Sequence, residues 1–342
     1  MLYALARPLL FALDPETAHH LTLKLSGLAG LLAARPPACP VRAMGLEFAN
    51  PVGLAAGLDK DAECVDALAA MGFGHLELGG VTPRPQPGNP RPRVFRIPEA
   101  QAIINRYGLN SVGIDAFVSN LSRFKRKCVI GVNIGKNKDT PNDRAAEDYE
   151  TCFEKLYPLV DYVTLNVSSP NTVGLRELQN SANLSALLSR MKTLREKLRD
   201  KHGRNVAIAI KIAPDLDGAA IREVAEAAMR ERIDGIVATN TTVSRQGVAG
   251  FPHSDEAGGL SGAPLRLRST DVVGALCRAL KGAIPVIGVG GILRGADATE
   301  KLDAGASLVQ IYTGLIYRGP ELIPECVSAC LARSRTASSA SR

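Results

Sequence analysis

The chain has 342 residues, 46% hydrophobic and 22% charged, with a formal net charge of +7. That excludes a disordered polymer and leaves room for one large folded domain or two small ones. The basic excess suits anionic small molecules, an anionic membrane or nucleic acid, but sparse aromatics and the absence of Trp leave no basic-aromatic stacking surface of the RNA-binding sort.

Residues 1–35 stand apart. Leu2, Leu5, Leu9 and Leu10 fall at helical spacing, and Asp14-Pro15-Glu16 restarts a helix with Asp14 as N-cap. Leu21, Leu25, Leu28, Leu31 and Leu32 continue the apolar stripe until Arg35-Pro-Pro37 ends it. The longest uncharged run there, Leu25 to Ala34, has 10 residues, about half of the ~20 that span a bilayer. Two amphipathic helices are expected, either packed on the main domain or lying on a membrane over an apolar pocket. Val41 to Asn50 reads as a hairpin turning at Gly45.

A rhythm then begins. Short apolar strands are predicted at Val52–Ala56, His75–Leu78, Val129–Ile134, Tyr162–Val167, Val206–Ile212, Gly235–Ala238, Pro285–Val289 and Leu308–Tyr312. Helix-patterned stretches separate them, among them Asp61–Met71, Ala145–Leu159, Ser185–Lys201, Gly218–Arg230, Arg268–Leu280 and Asp297–Ala304. Eight strands alternating with helices point to an α/β fold, a (β/α)8 TIM barrel with a small N-terminal helical extension; an open doubly wound sheet is the competitor. The seven cysteines are scattered and contain no Cys-x-x-Cys pair, so reduced thiols are expected. Cys326 and Cys330 share a helix face, which reads as core packing, and no metal site is indicated.

Function sits at the carboxyl ends of barrel strands. Those ends carry Asp59-Lys60, Asn133, Asn166, Lys211 and Thr239-Asn240-Thr241. After Tyr162–Val167 the turn Ser168-Ser-Pro-Asn171 adds hydroxyls and a carboxamide. Two lysines among several amides argue for an anionic, hydrogen-bonding ligand. Gly258-Gly259, Gly262, Gly288-Val-Gly-Gly291 and Tyr312-Thr-Gly314 follow the later strands, where barrels bind phosphate through backbone N–H groups. The residues alone thus indicate a phosphate-bearing cofactor beside an amide-rich pocket for a small polar ring, and do not name a reaction.

Longer motifs go further. Gly53-Leu-Ala-Ala-Gly-Leu-Asp-Lys60, Val81-Thr-Pro-Arg-Pro-Gln-Pro-Gly-Asn-Pro90, Asn105-Arg-Tyr-Gly108, Gly131-Val-Asn-Ile-Gly-Lys-Asn-Lys-Asp139, Asn166-Val-Ser-Ser-Pro-Asn-Thr172, Ile210-Lys-Ile-Ala-Pro-Asp215, Ala238-Thr-Asn-Thr-Thr242, Gly258-Gly-Leu-Ser-Gly-Ala-Pro264, Gly288-Val-Gly-Gly-Ile292 and Gln310-Ile-Tyr-Thr-Gly314 stand in one order. In them the chain resembles the dihydroorotate dehydrogenase family, in its membrane-associated, quinone-linked class (class 2). The resemblance implies oxidation of dihydroorotate to orotate in de novo pyrimidine (UMP) synthesis with FMN, which a membrane quinone reoxidises. It also implies peripheral attachment to the cytoplasmic face of a bacterial inner membrane, without nucleic acid as a partner. Residues 1–38 would form the helical quinone-access domain, 39–331 the FMN-binding barrel and 332–342 a disordered tail.

Carried over by position, the resemblance makes Ser169 the catalytic base and places substrate against Lys60, Asn105, Arg106, Tyr107, Gly108, Leu109, Asn166, Asn171, Asn240 and Thr241. FMN would contact Ala56, Gly57, Leu58, Asp59, Lys60, Gly80, Asn133, Asn166, Lys211, Thr239 and Gly262, with its phosphate on Gly291, Tyr312 and Thr313. His19, Arg96 and Tyr312 would line the quinone path. A Ser hydroxyl is a weak base, so activation through a relay is expected, with Thr172 as the nearest candidate. Three positions depart from the family pattern: Gly80 replaces a Ser or Thr beside flavin, and Tyr107 and Leu109 replace Met and Phe beside substrate. A soluble member of the family reducing fumarate or NAD, a tRNA-uridine reductase and a non-catalytic flavin- or lipid-binding barrel are the alternatives. Ser169, the leading helices and the lack of an RNA-binding module disfavour them.

Overall fold

A computed structural model describes all residues except 1, 28–29, 31–32, 126, 173 and 341–342. Helix α1 (Leu2–Ala12) and helix α2 (Pro15–Lys24) come first. The carboxylate of Asp14 caps α2, accepting from Glu16 N at 3.1 Å and Thr17 N at 2.9 Å. Leu28, Leu31 and Leu32 of the expected stripe lie outside the described residues. Strands β1 (Val41–Ala43) and β2 (Leu46–Phe48) form the expected hairpin. They close the amino-terminal end of the barrel, where Met44 and Phe48 are buried among Tyr162, Val237 and Leu308.

The barrel strands are β3 (Val52–Leu54), β4 (His75–Val81), β7 (Val129–Ile134), β8 (Tyr162–Asn166), β9 (Ala207–Ile212), β10 (Gly235–Ala238), β12 (Val286–Val289) and β13 (Leu308–Ile311). All pair in parallel, and β13 returns to β3, so the sheet is closed rather than doubly wound. Their Val- and Ile-rich sequences suit strands buried on both faces. Inside, large side chains face glycines: a Cβ at Gly53 would stand 2.1 Å from the His75 ring, and one at Gly131 2.0 Å from Tyr162.

Two features depart from the expectation. Strands β5 (Val94–Ile97), β6 (Ala102–Asn105) and β11 (Gly259–Gly262) form an antiparallel sheet of their own. Its outer pairing, Gly259 with Asn105 through Gly262 with Ala102, joins segments far apart in the chain, so no local pattern announces it. The tail expected to be disordered from residue 332 is helical as far as Ala340, in the helix Leu322–Ala340, and residues 341–342 lie outside the described residues. Leu322, Ile323, Cys326, Val327 and Cys330 bury one face of it, and Arg333 bonds Asp303 at 2.6 Å and the Leu302 carbonyl at 3.1 Å. Arg333 thus holds the helix for about one turn past Cys330, where its apolar stripe runs out.

Candidate active site at the barrel mouth

A cleft of about 980 Å³, counting the part open to solvent, occupies the carboxyl end of the barrel. Ala56, Gly57, Lys60, Gly80, Asn105, Tyr107, Gly108, Leu109, Asn133, Asn166, Ser169, Asn171, Lys211, Thr239, Asn240, Thr241, Gly262, Gly291, Tyr312 and Thr313 all line it. The loops and strand ends that bring them together span most of the chain.

The floor is a hydrogen-bonded chain of amides. Asn133 Nδ2 donates to the fully buried Glu77 carboxylate at 3.0 Å, and Asn166 Nδ2 donates to Asn133 Oδ1 at 3.0 Å. Asn166 Oδ1 accepts from Ser168 N at 3.3 Å, and Asn240 Nδ2 donates to Ser168 Oγ at 3.0 Å. Lys211 Nζ stands 4.0 Å from Glu77. Burial lowers the pKa of this ammonium, and the Glu77 charge works against that.

The rim carries the reactive hydroxyl. Ser169 is buried, and its Oγ accepts from Asn171 N at 3.3 Å. The nearby Thr172 hydroxyl is buried without a protein partner. Asn171 Nδ2 donates to the Asn105 carbonyl at 3.1 Å, tying the serine loop to β6. Lys60 Nζ lies 4.9 Å from the centre of the Tyr107 ring. Burial pulls its pKa down to about 8, against the charge of Asp61.

At the opposite end the glycines make a close approach. Gly290 and Gly291 have φ of 120° and 74°, and a Cβ on Gly291 would come within 2.5 Å of Arg266. Only glycine permits this loop to press on helix Arg266–Leu280 while its backbone faces the cleft. Ser261 and Thr313 hydroxyls meet at 2.8 Å beside it. This cradle, the lysine and the amide chain fit a planar, phosphate-bearing cofactor.

A second cavity of about 1040 Å³, mainly apolar, lies under α1 and α2. Phe11, His19, Leu23, Arg96, Leu315 and Ile316 are among its walls, and Asn105, Tyr107 and Tyr312 border both cavities. Burial lowers the His19 pKa to about 4, helped by His20, so the ring is neutral at physiological pH. Arg96 also fastens α1, donating to the Leu10 carbonyl at 3.1 Å and to that of Leu13. Leu5, Leu9, Leu21 and Leu25 are exposed on the outside of the two helices. No helix among the described residues is long and apolar enough to cross a membrane.

Three of the expected contact residues do not line the cleft. Leu58 lines the second cavity, not the first. Asp59 turns away to cap the following turn, accepting from Glu63 N and Cys64 N at 2.9 Å each. Arg106 points outward, where it pairs with Glu256 at 2.6 Å and lies over the Phe95 ring. Conversely, Ser261, Gly290 and Gln310 line the cleft although their motifs assigned them no contact, and Glu77 anchors its floor. Glu77 lies inside a strand whose register alone aims it at the barrel axis, whereas Gly290 belongs to the glycine run that already marks the phosphate end.

A sequence profile described as dihydroorotate dehydrogenase matches residues 39–332. A protein named dihydroorotate dehydrogenase (quinone) from Paraburkholderia phymatum is 55% identical over 339 residues, 97% of this chain and 98% of its own length. One of the same name from Ralstonia nicotianae is 56% identical over 337 residues, 96% of this chain and 98% of its own. Among solved structures, ligand-free dihydroorotate dehydrogenase from Eimeria tenella superposes with a TM-score of 0.88 at 39% identity, covering 95% of this chain and 96% of that one.

Proposed function

The chain belongs to the dihydroorotate dehydrogenase family, and we propose that it works as the quinone-linked kind, oxidising dihydroorotate to orotate in pyrimidine synthesis and passing the electrons to a quinone. One observation carries the reading: a polar, amide-lined cleft bearing Ser169 meets an apolar cavity under two helices at Asn105, Tyr107 and Tyr312. A charged ring and a greasy ring thus approach one centre from different sides.

The family uses flavin, and FMN is the flavin that suits this cleft, because a single glycine cradle matches a single phosphate. Gly290, Gly291 and Thr313 would hold that phosphate, with Asn133, Asn166, Lys211 and Thr239 along the ring. The chemistry FMN supplies when bound is acceptance of a hydride from C6 of dihydroorotate and release of the electrons to quinone. Ser169 takes the proton from C5. Its buried Oγ can do so if its own proton leaves at the same time, and the partnerless Thr172 hydroxyl is the next station outward. Lys60 binds the substrate carboxylate, while Asn105, Asn171, Asn240 and Thr241 hold the ring by its amide groups. Lys211 provides positive charge where negative charge accumulates on reduction.

The exposed Leu5, Leu9, Leu21 and Leu25 support a peripheral attachment, with α1 and α2 lying in the headgroup layer and the second cavity opening to lipid. In this reading the protein sits on the cytoplasmic face of a bacterial inner membrane. The test is spectroscopic: the purified protein carries oxidised flavin, and anaerobic dihydroorotate bleaches it. A bound flavin that dihydroorotate leaves unchanged refutes the assignment.

A further inference from the structure

Glu77 does not line the cleft, yet three side chains that do line it converge on its carboxylate. Oε1 accepts from Asn133 Nδ2 at 3.0 Å and stands 4.0 Å from Lys211 Nζ; Oε2 accepts from Gln310 Nε2 at 2.9 Å. The Tyr162 hydroxyl, from β8, donates to Oε2 at 3.4 Å. The carboxylate is fully buried, and it is the one carboxylate paired with Lys211 among the described residues.

We propose that Glu77 is a positioning residue for the reaction: it sets the direction of the amide chain across the cleft floor and balances the charge of Lys211 beneath the flavin. This rests on flavin occupying the cleft. A carboxylate is one-sided: it accepts hydrogen bonds and cannot donate them. Asn133 must therefore turn its NH2 toward Glu77 and its Oδ1 toward Asn166, which donates to it at 3.0 Å. Asn166 is then obliged to present Oδ1 to Ser168 N at 3.3 Å and to Asn240 Nδ2 at 3.4 Å. Asn240 in turn offers its Oδ1 to Thr241 N at 2.8 Å, on the substrate rim. One buried charge thus decides which amide atoms face the flavin and which face the substrate. A glutamine at position 77 offers both a donor and an acceptor, so the chain can run in either sense.

Glu77 also acts through its charge. Burial disfavours the Lys211 ammonium, and Glu77 is the charge that offsets this. With the carboxylate gone, no buried negative charge opposes the one the flavin gains on reduction, and the reduced, more negative form is favoured.

The experiment compares wild type, Glu77→Gln and Glu77→Asp with FMN bound. Midpoint potentials come from chemical reduction at neutral pH, and orotate affinity from the flavin spectrum. In Glu77→Gln the oxidised-to-reduced equilibrium shifts toward reduced flavin by about tenfold or more, which is about 30 mV for a two-electron couple. Orotate binding to the oxidised form weakens by about tenfold, as for one misdirected buried hydrogen bond. Glu77→Asp keeps the charge, so its potential stays at the wild-type value while its orotate affinity falls, because the shorter chain cannot reach Asn133 and Gln310 together. Unchanged potential and unchanged orotate affinity in Glu77→Gln overturn the inference. If Glu77→Gln releases flavin, reconstitution with FMN decides. Retention restored by Asp supports the role; equal loss in Asp, with a lowered apoprotein melting point in both, makes Glu77 a fold residue only. Chemical reduction needs no dihydroorotate, so a wild type that fails to react with that substrate refutes the proposed function separately.

Discussion

Breaking the ion pair between Glu16 and Arg93 should loosen the junction of the helical extension and the barrel. Both side chains are only 6% exposed, and Arg93 Nη2 lies 2.7 Å from Glu16 Oε1, with Arg91 adding a second contact at 3.0 Å. Arg93 also donates to the carbonyls of Pro87 at 2.7 Å and Asn89 at 3.0 Å. Asn89 reaches on to the Arg106 carbonyl at 2.9 Å, so the Pro-rich loop and the rim depend on one guanidinium. Burial raises the Glu16 pKa, but the hydrogen bond and charge of Arg93, with Arg91, bring it below the usual carboxylate range. The stabilisation is therefore present above the pKa of the unfolded carboxyl and is lost as pH falls through the depressed folded value. Glu16→Ala leaves a buried cation uncompensated, a cost of about 3–5 kcal/mol. Unfolding entropy for a chain of this length is roughly 0.7 kcal/mol per kelvin, so the melting temperature should drop by about 4–7 °C. The assay is a thermal melt at saturating FMN and neutral pH, with Glu16→Ala, Arg93→Met and the double variant. The double variant should recover most of the loss, since it removes both charges. A single Glu16→Ala melting within about 1 °C of wild type, less than the drop expected for 1 kcal/mol, would refute the reasoning.

Ser169→Ala should keep its flavin and bind orotate while anaerobic reduction slows by roughly 10²–10⁴, with Ser169→Cys recovering part of the rate; near-normal reduction in the Ala variant ends the base assignment. Gly80 has no positive φ, and an added Cβ would stand 3.1 Å from Asn133 Oδ1 and 3.2 Å from Leu109. Gly80→Thr should tighten FMN binding by at most about 1 kcal/mol, and weaker flavin retention at an unchanged melting temperature excludes that role. Because the Lys60 pKa is about 8, orotate affinity should hold below that pH and fall as pH rises through it; a flat titration across that range removes Lys60 from the carboxylate site. Deleting residues 1–13 takes Tyr3, Leu10 and Phe11 from the second cavity but spares Glu16. Dihydroorotate should still bleach the flavin and a small soluble dye should still reoxidise it, while turnover with a long-chain quinone and binding to anionic lipid vesicles collapse; retention of both would place the quinone site elsewhere.

The sequence by itself determined the barrel. Eight short runs of Val, Ile and Leu spaced by helix-patterned stretches leave a closed parallel sheet as the economical solution, and β7 and β10 begin and end where those runs do. Residues at strand ends, such as Asn133, Asn166 and Lys211, were legible for the same reason, since the end of an apolar run marks the barrel mouth. Tertiary structure alone decided what depends on facing and on distant partners. Leu58, Asp59 and Lys60 are consecutive, yet they face the second cavity, the turn to Cys64 and the first cleft respectively. The sheet of β5, β6 and β11 and the pair of Glu16 with Arg93 close across long separations, and nothing local to either partner signals the other. Glu77 shows the limit most clearly: a lone acid in an apolar run becomes the anchor of the cleft floor only because barrel closure brings Asn133, Lys211 and Gln310, from three other strands, around one buried carboxylate, where water cannot take their place.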